Sequence, residues 1–153
     1  MNFLFNALLQ FVSSFIVAVS FGIICNVPRR VLVFCGITGG VGWIVYWLLS
    51  QSGITTALAT LTGSVLVALF SGRFARFCKM PVTIFNIPGI VPLVPGGLAY
   101  TSIRHLAQGQ YDDFMRVGVD TLLVAGAIAL GLILAEVFNN NLRSFARKFR
   151  RII

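Results

Sequence analysis

The stretch NIPGIVPLVPGG, Asn86 to Gly97, holds three prolines and three glycines in twelve residues. On either side the chain is almost pure hydrocarbon. Pro88, Pro92 and Pro95 carry no N–H, so in a continuous helix the carbonyls of Ile84, Pro88 and Val91 would lose their partners. Each proline also pushes the residue before it out of the α region. Gly89, Gly96 and Gly97 loosen the backbone further. One proline kinks a helix; three this close together break it. The fold turns on whether this segment still crosses a membrane.

That the chain meets a membrane follows from composition. Of 153 residues, 58% are hydrophobic and 10% charged, against about 25% charged in a soluble domain. The mean hydropathy is +0.92. The expectation is an all-α integral membrane protein forming a single transmembrane domain over residues 1–153, because nothing outside the apolar runs is long enough for a second core. A helix rises 1.5 Å per residue, so a span takes about 20 residues. The apolar runs are Phe3–Cys25, Val31–Ser50, Ile54–Ser71, Val82–Ile103 and Val117–Phe138. The first lacks a basic leading region and is long for the apolar core of a signal peptide, so it reads as a retained span.

The charges decide the count. Arg29 and Arg30 lie in the first loop, Arg73, Arg76 and Lys79 in the third, and Arg143, Arg147, Lys148, Arg150 and Arg151 in the tail. With five transmembrane helices, the fourth broken, these ten of the twelve basic residues share one side. With four spans the tail would be split from the third loop. The positive-inside rule then expects the N-terminus outside and the C-terminus in the cytoplasm of a multi-pass plasma-membrane protein. The net charge of +8 sits in loops and tail, so it points to lipid headgroups and not to nucleic acid.

The tail, residues 139–153, spaces Leu142, Phe145, Ala146, Phe149, Ile152 and Ile153 at helical intervals among basic residues. A C-terminal amphipathic basic helix lying on anionic lipids is expected; its role is an orientation anchor or a docking helix for a partner. Gly36, Gly39, Gly40 and Gly42 in the second run, and Ala127, Gly131 and Ala135 in the fifth, are small-residue ridges that let helices approach closely.

A broken helix at membrane depth leaves backbone groups that lipid cannot satisfy, so the break must be covered by protein or line a wet cavity. Discontinuous helices in transporters use such breaks as sites, half-helix N-termini facing anionic groups. The alternative is a structural kink packed on a neighbour. As a substrate pathway the break would use Asn86, Pro88, Gly89, Pro92, Pro95, Gly96 and Gly97, with hydroxyls from Tyr100 and Thr101. Asp120 either faces the pathway or pairs with Arg116 four residues earlier. Asn26 and Pro28 are possible supporting residues. His105 is the only histidine, and Cys25, Cys35 and Cys78 show no ligand spacing, so no metal or other cofactor is expected. No catalytic constellation appears, which argues against an enzyme.

Two segments, GIICNVPRRVLVFCGITGGVG (Gly22–Gly42) and IPGIVPLVPGGLAYTSI (Ile87–Ile103), resemble the small subunit of the threonine/serine exporter family. That family includes a two-component succinate exporter and fused single-chain forms. The most telling pieces are Asn26-Val27-Pro28, the glycine-rich second run, and Pro92 to Tyr100. The resemblance implies a secondary exporter of small carboxylate-bearing metabolites, threonine and serine or dicarboxylates such as succinate, driven by an ion or proton gradient. It also implies a larger partner subunit with a cytoplasmic domain, unless the chain acts as a homo-oligomer. The reading from another class is a non-transporting scaffold that assembles a partner protein.

Overall fold

The computed structural model describes residues 3–150, with side chains described as far as Asn139. Among the described residues there are helices and no strands: α1 (Phe3–Ile24), α2 (Leu32–Gln51), α3 (Thr56–Cys78), α4 (Thr83–Ile90), α5 (Gly96–Ala107) and α6 (Tyr111–Arg150). Short 3-10 turns at Arg29–Val31 and Val91–Leu93 lead into α2 and follow α4. Among the described residues four helices are long and apolar enough to cross a membrane, and the bent pair Thr83–Leu93 plus Gly96–Ala107 makes up to five. The arrangement of the basic tail on lipid lies outside the described side chains.

Local chemistry explains the helix ends. At the end of α1, Asn26 takes a left-handed conformation with φ of 55°. Its N–H bonds to Ile23 O at 3.0 Å and the Val27 N–H to Gly22 O at 2.9 Å, which closes the helix with a Schellman turn. Pro28 then opens the turn into α2. The third helix runs past the expected end at Ser71 to Cys78. Arginine is a good helix former, and Arg76 keeps its own turn by bonding from Nε to Gly72 O at 2.8 Å. The helix stops where Lys79 turns left-handed, at φ of 53°. The last helix starts earlier than the apolar run, at Tyr111, because Asp112 and Asp113 in its first turn suit the positive end of the helix dipole.

Glycines set the spacing of the bundle. A Cβ on Gly39 would stand 2.7 Å from Ala18 Cβ, and one on Gly63 2.9 Å from Gly42 O. Gly131 faces Ser64 and would bring a Cβ within 2.8 Å of Leu61 O. The small-residue ridges are thus the seams where α1, α2, α3 and α6 meet, as packing-driven association in lipid requires. Between α1 and α2, Trp43 Nε1 donates to Gln10 Oε1 at 2.7 Å.

The seams also fix direction. On α3, Ser64 meets Gly131 of α6, and further along Gly72 meets Asn139. The two helices therefore run parallel. α5 returns against α6, since Ser102 Oγ donates to Phe114 O at 3.2 Å. The chain thus leaves α3 at one end of the bundle and enters α6 at the other, and the α4–α5 pair makes that traverse. The first and third loops share an end: Pro28, Arg30, Cys78 and Lys79 line one depression there.

Candidate functional site

The broken helix is built in two unlike limbs. The first, α4 and its 3-10 turn, lies in the core against α1, α2 and α3. Phe85 is fully buried with Val31, Cys35 and Ala75. Pro88 and Gly89 are buried, and a Cβ on Gly89 would stand 2.9 Å from Thr38 Cγ2 and 3.0 Å from Val67 Cγ1. Leu93 completes a second buried cluster with Val67 and Ile128. The carbonyl that Pro88 deprives of a partner is not left bare. Cys35 Sγ of α2 donates to Ile84 O at 3.4 Å. In the sequence Cys35 shows only that it lacks ligand spacing, and its hydrogen bond becomes visible once α2 is laid against α4.

The second limb faces away. After Val91–Leu93 the chain is extended at Val94, and the pair bends by 53°. Pro95 leads into α5 with no side chain capping the helix start. The Gly96 N–H bonds to Val94 O at 2.8 Å and the Ala99 N–H to Pro95 O at 3.0 Å. Among the described residues this leaves the Gly97 and Leu98 N–H groups without a partner at the turn. Gly96 and Gly97 are exposed, and a Cβ on either would meet nothing within 4 Å. Tyr100 is 70% exposed. Thr101 Oγ1 bonds back to Gly97 O at 2.8 Å, within its own helix.

The proposed pathway residues therefore do not form one cluster. Asn86, Pro88, Gly89 and Pro92 belong to the packed limb, while Pro95, Gly96, Gly97, Tyr100 and Thr101 belong to the open one. Asp120 and Arg116 stand on the exposed face of α6. The groove between α5 and α6 is lined by Ser102, Phe114, Gly118 and Thr121 but not by Asp120. Asn26 and Pro28 sit in the α1–α2 turn, where they stop one helix and start the next.

Beside the packed limb is a cavity of about 290 Å³ between α3, α4 and α6, at the end of the bundle that holds the basic loops. Ala68 and Gly72 of α3 make its small-residue floor, and Thr83, Asn86, Glu136 and Asn139 bring polar groups to it. Asn86 Oδ1 is buried and has no hydrogen-bond partner. Asn139 Oδ1 accepts from Arg76 Nη2 at 3.2 Å. Sequence reasoning found Asn86 and missed Thr83, Glu136 and Asn139. Thr83 precedes Asn86 by three positions and shares its helix face, which was a readable signal. The approach of α6 to that face was not.

A bundle of apolar helices with close glycine seams, one traversing element broken at Pro and Gly, and a small polar cavity at the break's flank defines a multi-pass α-helical membrane protein of transporter type. The family model described as "Threonine/Serine exporter, ThrE" matches residues 10–138, and the chain belongs to that family. It is a membrane exporter of threonine/serine type, a transporter and not an enzyme. No solved structure matches the chain.

Proposed function

We propose that the chain is the membrane subunit of a secondary exporter in the plasma membrane, moving small carboxylate-bearing metabolites outward on an ion or proton gradient. In this reading it works with a larger membrane subunit that carries a cytoplasmic domain, and its cargo is threonine and serine or dicarboxylates such as succinate. The N-terminus lies outside and the C-terminus in the cytoplasm, with the α4–α5 pair as the fourth of five crossings. The charge distribution supports that orientation.

The observation that carries the reading is the open limb. α5 begins with exposed glycines and unpartnered N–H groups midway along a traversing element. In hydrocarbon each such group costs several kcal/mol. The chain's own helices enclose the first limb, whereas the second packs along α6 and leaves its glycine start open. The open limb is sheltered by a partner helix or by a water-filled path between partner and chain. In that setting its N–H groups suit a carboxylate.

The test is reconstitution of the chain with its partner in liposomes, with flux of threonine and succinate measured under an imposed gradient. Gly96→Leu and Gly97→Leu are expected to abolish most flux while the complex still assembles. Full flux in both variants would remove the break from the pathway. A complex that assembles but moves neither solute under any gradient would favour the scaffold instead.

A further inference from the structure

Asn139 also borders a second hollow, an open groove of about 770 Å³ between α3 and α6. The chemistry of its lining changes along its length. Leu66, Leu69 and Phe70 form the deeper part, and Arg73 and Arg76 follow on α3 toward the basic loops. Phe77 and Phe138 flank the arginines and are exposed. Leu66, Phe70, Arg73 and Phe77 recur at steps of three and four residues, so they make one stripe of the helix. Among the described residues no acidic side chain lines the groove. Arg76 is held in place: its Nε donates to Gly72 O at 2.8 Å and its Nη2 to Asn139 Oδ1 at 3.2 Å. A guanidinium has five N–H donors, so others remain for a ligand. Arg73, one turn earlier, is exposed and brings a second guanidinium.

We infer that this groove holds one anionic phospholipid of the leaflet on the side of the basic loops, with its phosphate between Arg73 and Arg76 and an acyl chain along Leu66, Leu69 and Phe70. The order of the lining selects a lipid over a soluble anion. From Leu66 to Arg76 a helix rises about 15 Å, half of the roughly 30 Å of hydrocarbon and so the depth of one leaflet. The arginines stand near the end of α3, where the first and third loops gather. Basic pockets between spans at that level take anionic headgroups, and guanidinium–phosphate pairs are among the stronger hydrogen bonds. The chain's own tail has the wrong sign to cover the arginines, since Arg143, Arg147, Lys148, Arg150 and Arg151 are basic. Asn139 is a positioning residue here. It fixes Arg76 and sits over Gly72, where a Cβ would come within 2.7 Å of its Nδ2, so the headgroup site is tied to the α3–α6 seam. This is a defined site, separate from the general attraction of a basic tail to headgroups. It does not depend on the cargo.

The full chain is purified in a non-ionic detergent and titrated with phosphatidylglycerol, and native mass spectrometry counts the lipids it retains. One lipid is expected to bind ahead of the rest, and more tightly than phosphatidylcholine. Arg73→Gln is expected to weaken that first binding about fivefold or more, the scale of one basic residue at an anionic lipid surface. Arg29→Gln removes the same charge from a loop outside the groove and is expected to weaken it less. Leu69→Trp keeps both arginines, fills the apolar part of the groove and is expected to weaken binding as well. Equal losses in Arg73→Gln and Arg29→Gln mean diffuse surface attraction and overturn the site. Full binding in Leu69→Trp overturns it too, because only an anion-binding pair would remain. Displacement by glycerol 3-phosphate at the concentration of the lipid assigns the arginines to a free phosphate, and equal binding of phosphatidylcholine removes charge from the recognition; either result overturns the proposal. So does loss of the lipid when a co-purified membrane subunit is bound, which would make the groove a protein interface. A last readout needs no variant. Phosphatidylglycerol should raise the unfolding midpoint of the wild-type chain above its value in phosphatidylcholine, as a ligand of the folded state does, and an equal midpoint overturns the site.

Discussion

The two limbs of the broken helix each carry glycine next to proline and have opposite surroundings. In α4, Gly89 is enclosed by Thr38 and Val67, and the carbonyl freed by Pro88 receives the Cys35 thiol. In α5, a Cβ on Gly96 or Gly97 would meet nothing within 4 Å, and no side chain caps the helix start. Glycine in the first limb is there for close approach. In the second it keeps backbone N–H groups reachable from outside the chain. The same residue type thus marks a packing seam in one place and an accessible backbone a few positions later. The neighbouring helices make the difference.

Substitutions that exchange the two situations test this contrast. The largest effect is expected from Gly89→Leu. Overpacking a full core usually costs about 1–3 kcal/mol, and the lack of room around Gly89 puts this change at or above the upper end. Thermal unfolding in detergent should show the loss, and a normal midpoint would mean that α4 is not enclosed. Gly97→Leu should do the reverse. Its own stability should stay within about 0.5 kcal/mol of wild type, while flux with the partner falls about tenfold or more, about 1.4 kcal/mol. A large drop in stability of the isolated chain would show that the space around Gly97 is filled within it.

Smaller effects sharpen the same comparison. Cys35→Ala removes the donor to Ile84 O and should cost about 0.5–1 kcal/mol, with Cys35→Ser recovering most of it. If alanine and serine behave alike, the thiol acts only by filling space. Thr101→Val should shift the unfolding midpoint least, by less than about 0.5 kcal/mol. Its hydroxyl serves only its own helix, and the groups that would miss it are exposed. A shift as large as that of Cys35→Ala would mean that Thr101 contacts a neighbour.

The helical membrane class and the break in the fourth run were legible in the sequence. Each depends on a local property: apolar length, the missing N–H of proline, or charge in short loops. The glycine ridges were legible as seams because a small residue inside an apolar run has few uses other than close approach. The candidate site was only half legible. Asn86 and the prolines stood out by type. Glu136 falls inside the last apolar run and Asn139 opens the tail, and nothing local indicates that α6 passes beside α4. The extent of α3 beyond Ser71 was hidden because arginines mimic a loop in a hydropathy reading while favouring a helix.

The sequence by itself determined that this is a membrane-embedded helical bundle with a broken helix, because composition, proline chemistry and loop charge act over a few residues at a time. The tertiary structure decided which limb of the break is sheltered and that α3 and α6 run parallel, so that the bent pair traverses the bundle. It also decided that Thr83, Asn86, Glu136 and Asn139 share one cavity. These residues come from helices dozens of positions apart. Packing of small residues across the α3–α6 and α2–α4 seams brings them together, and no local pattern encodes that meeting.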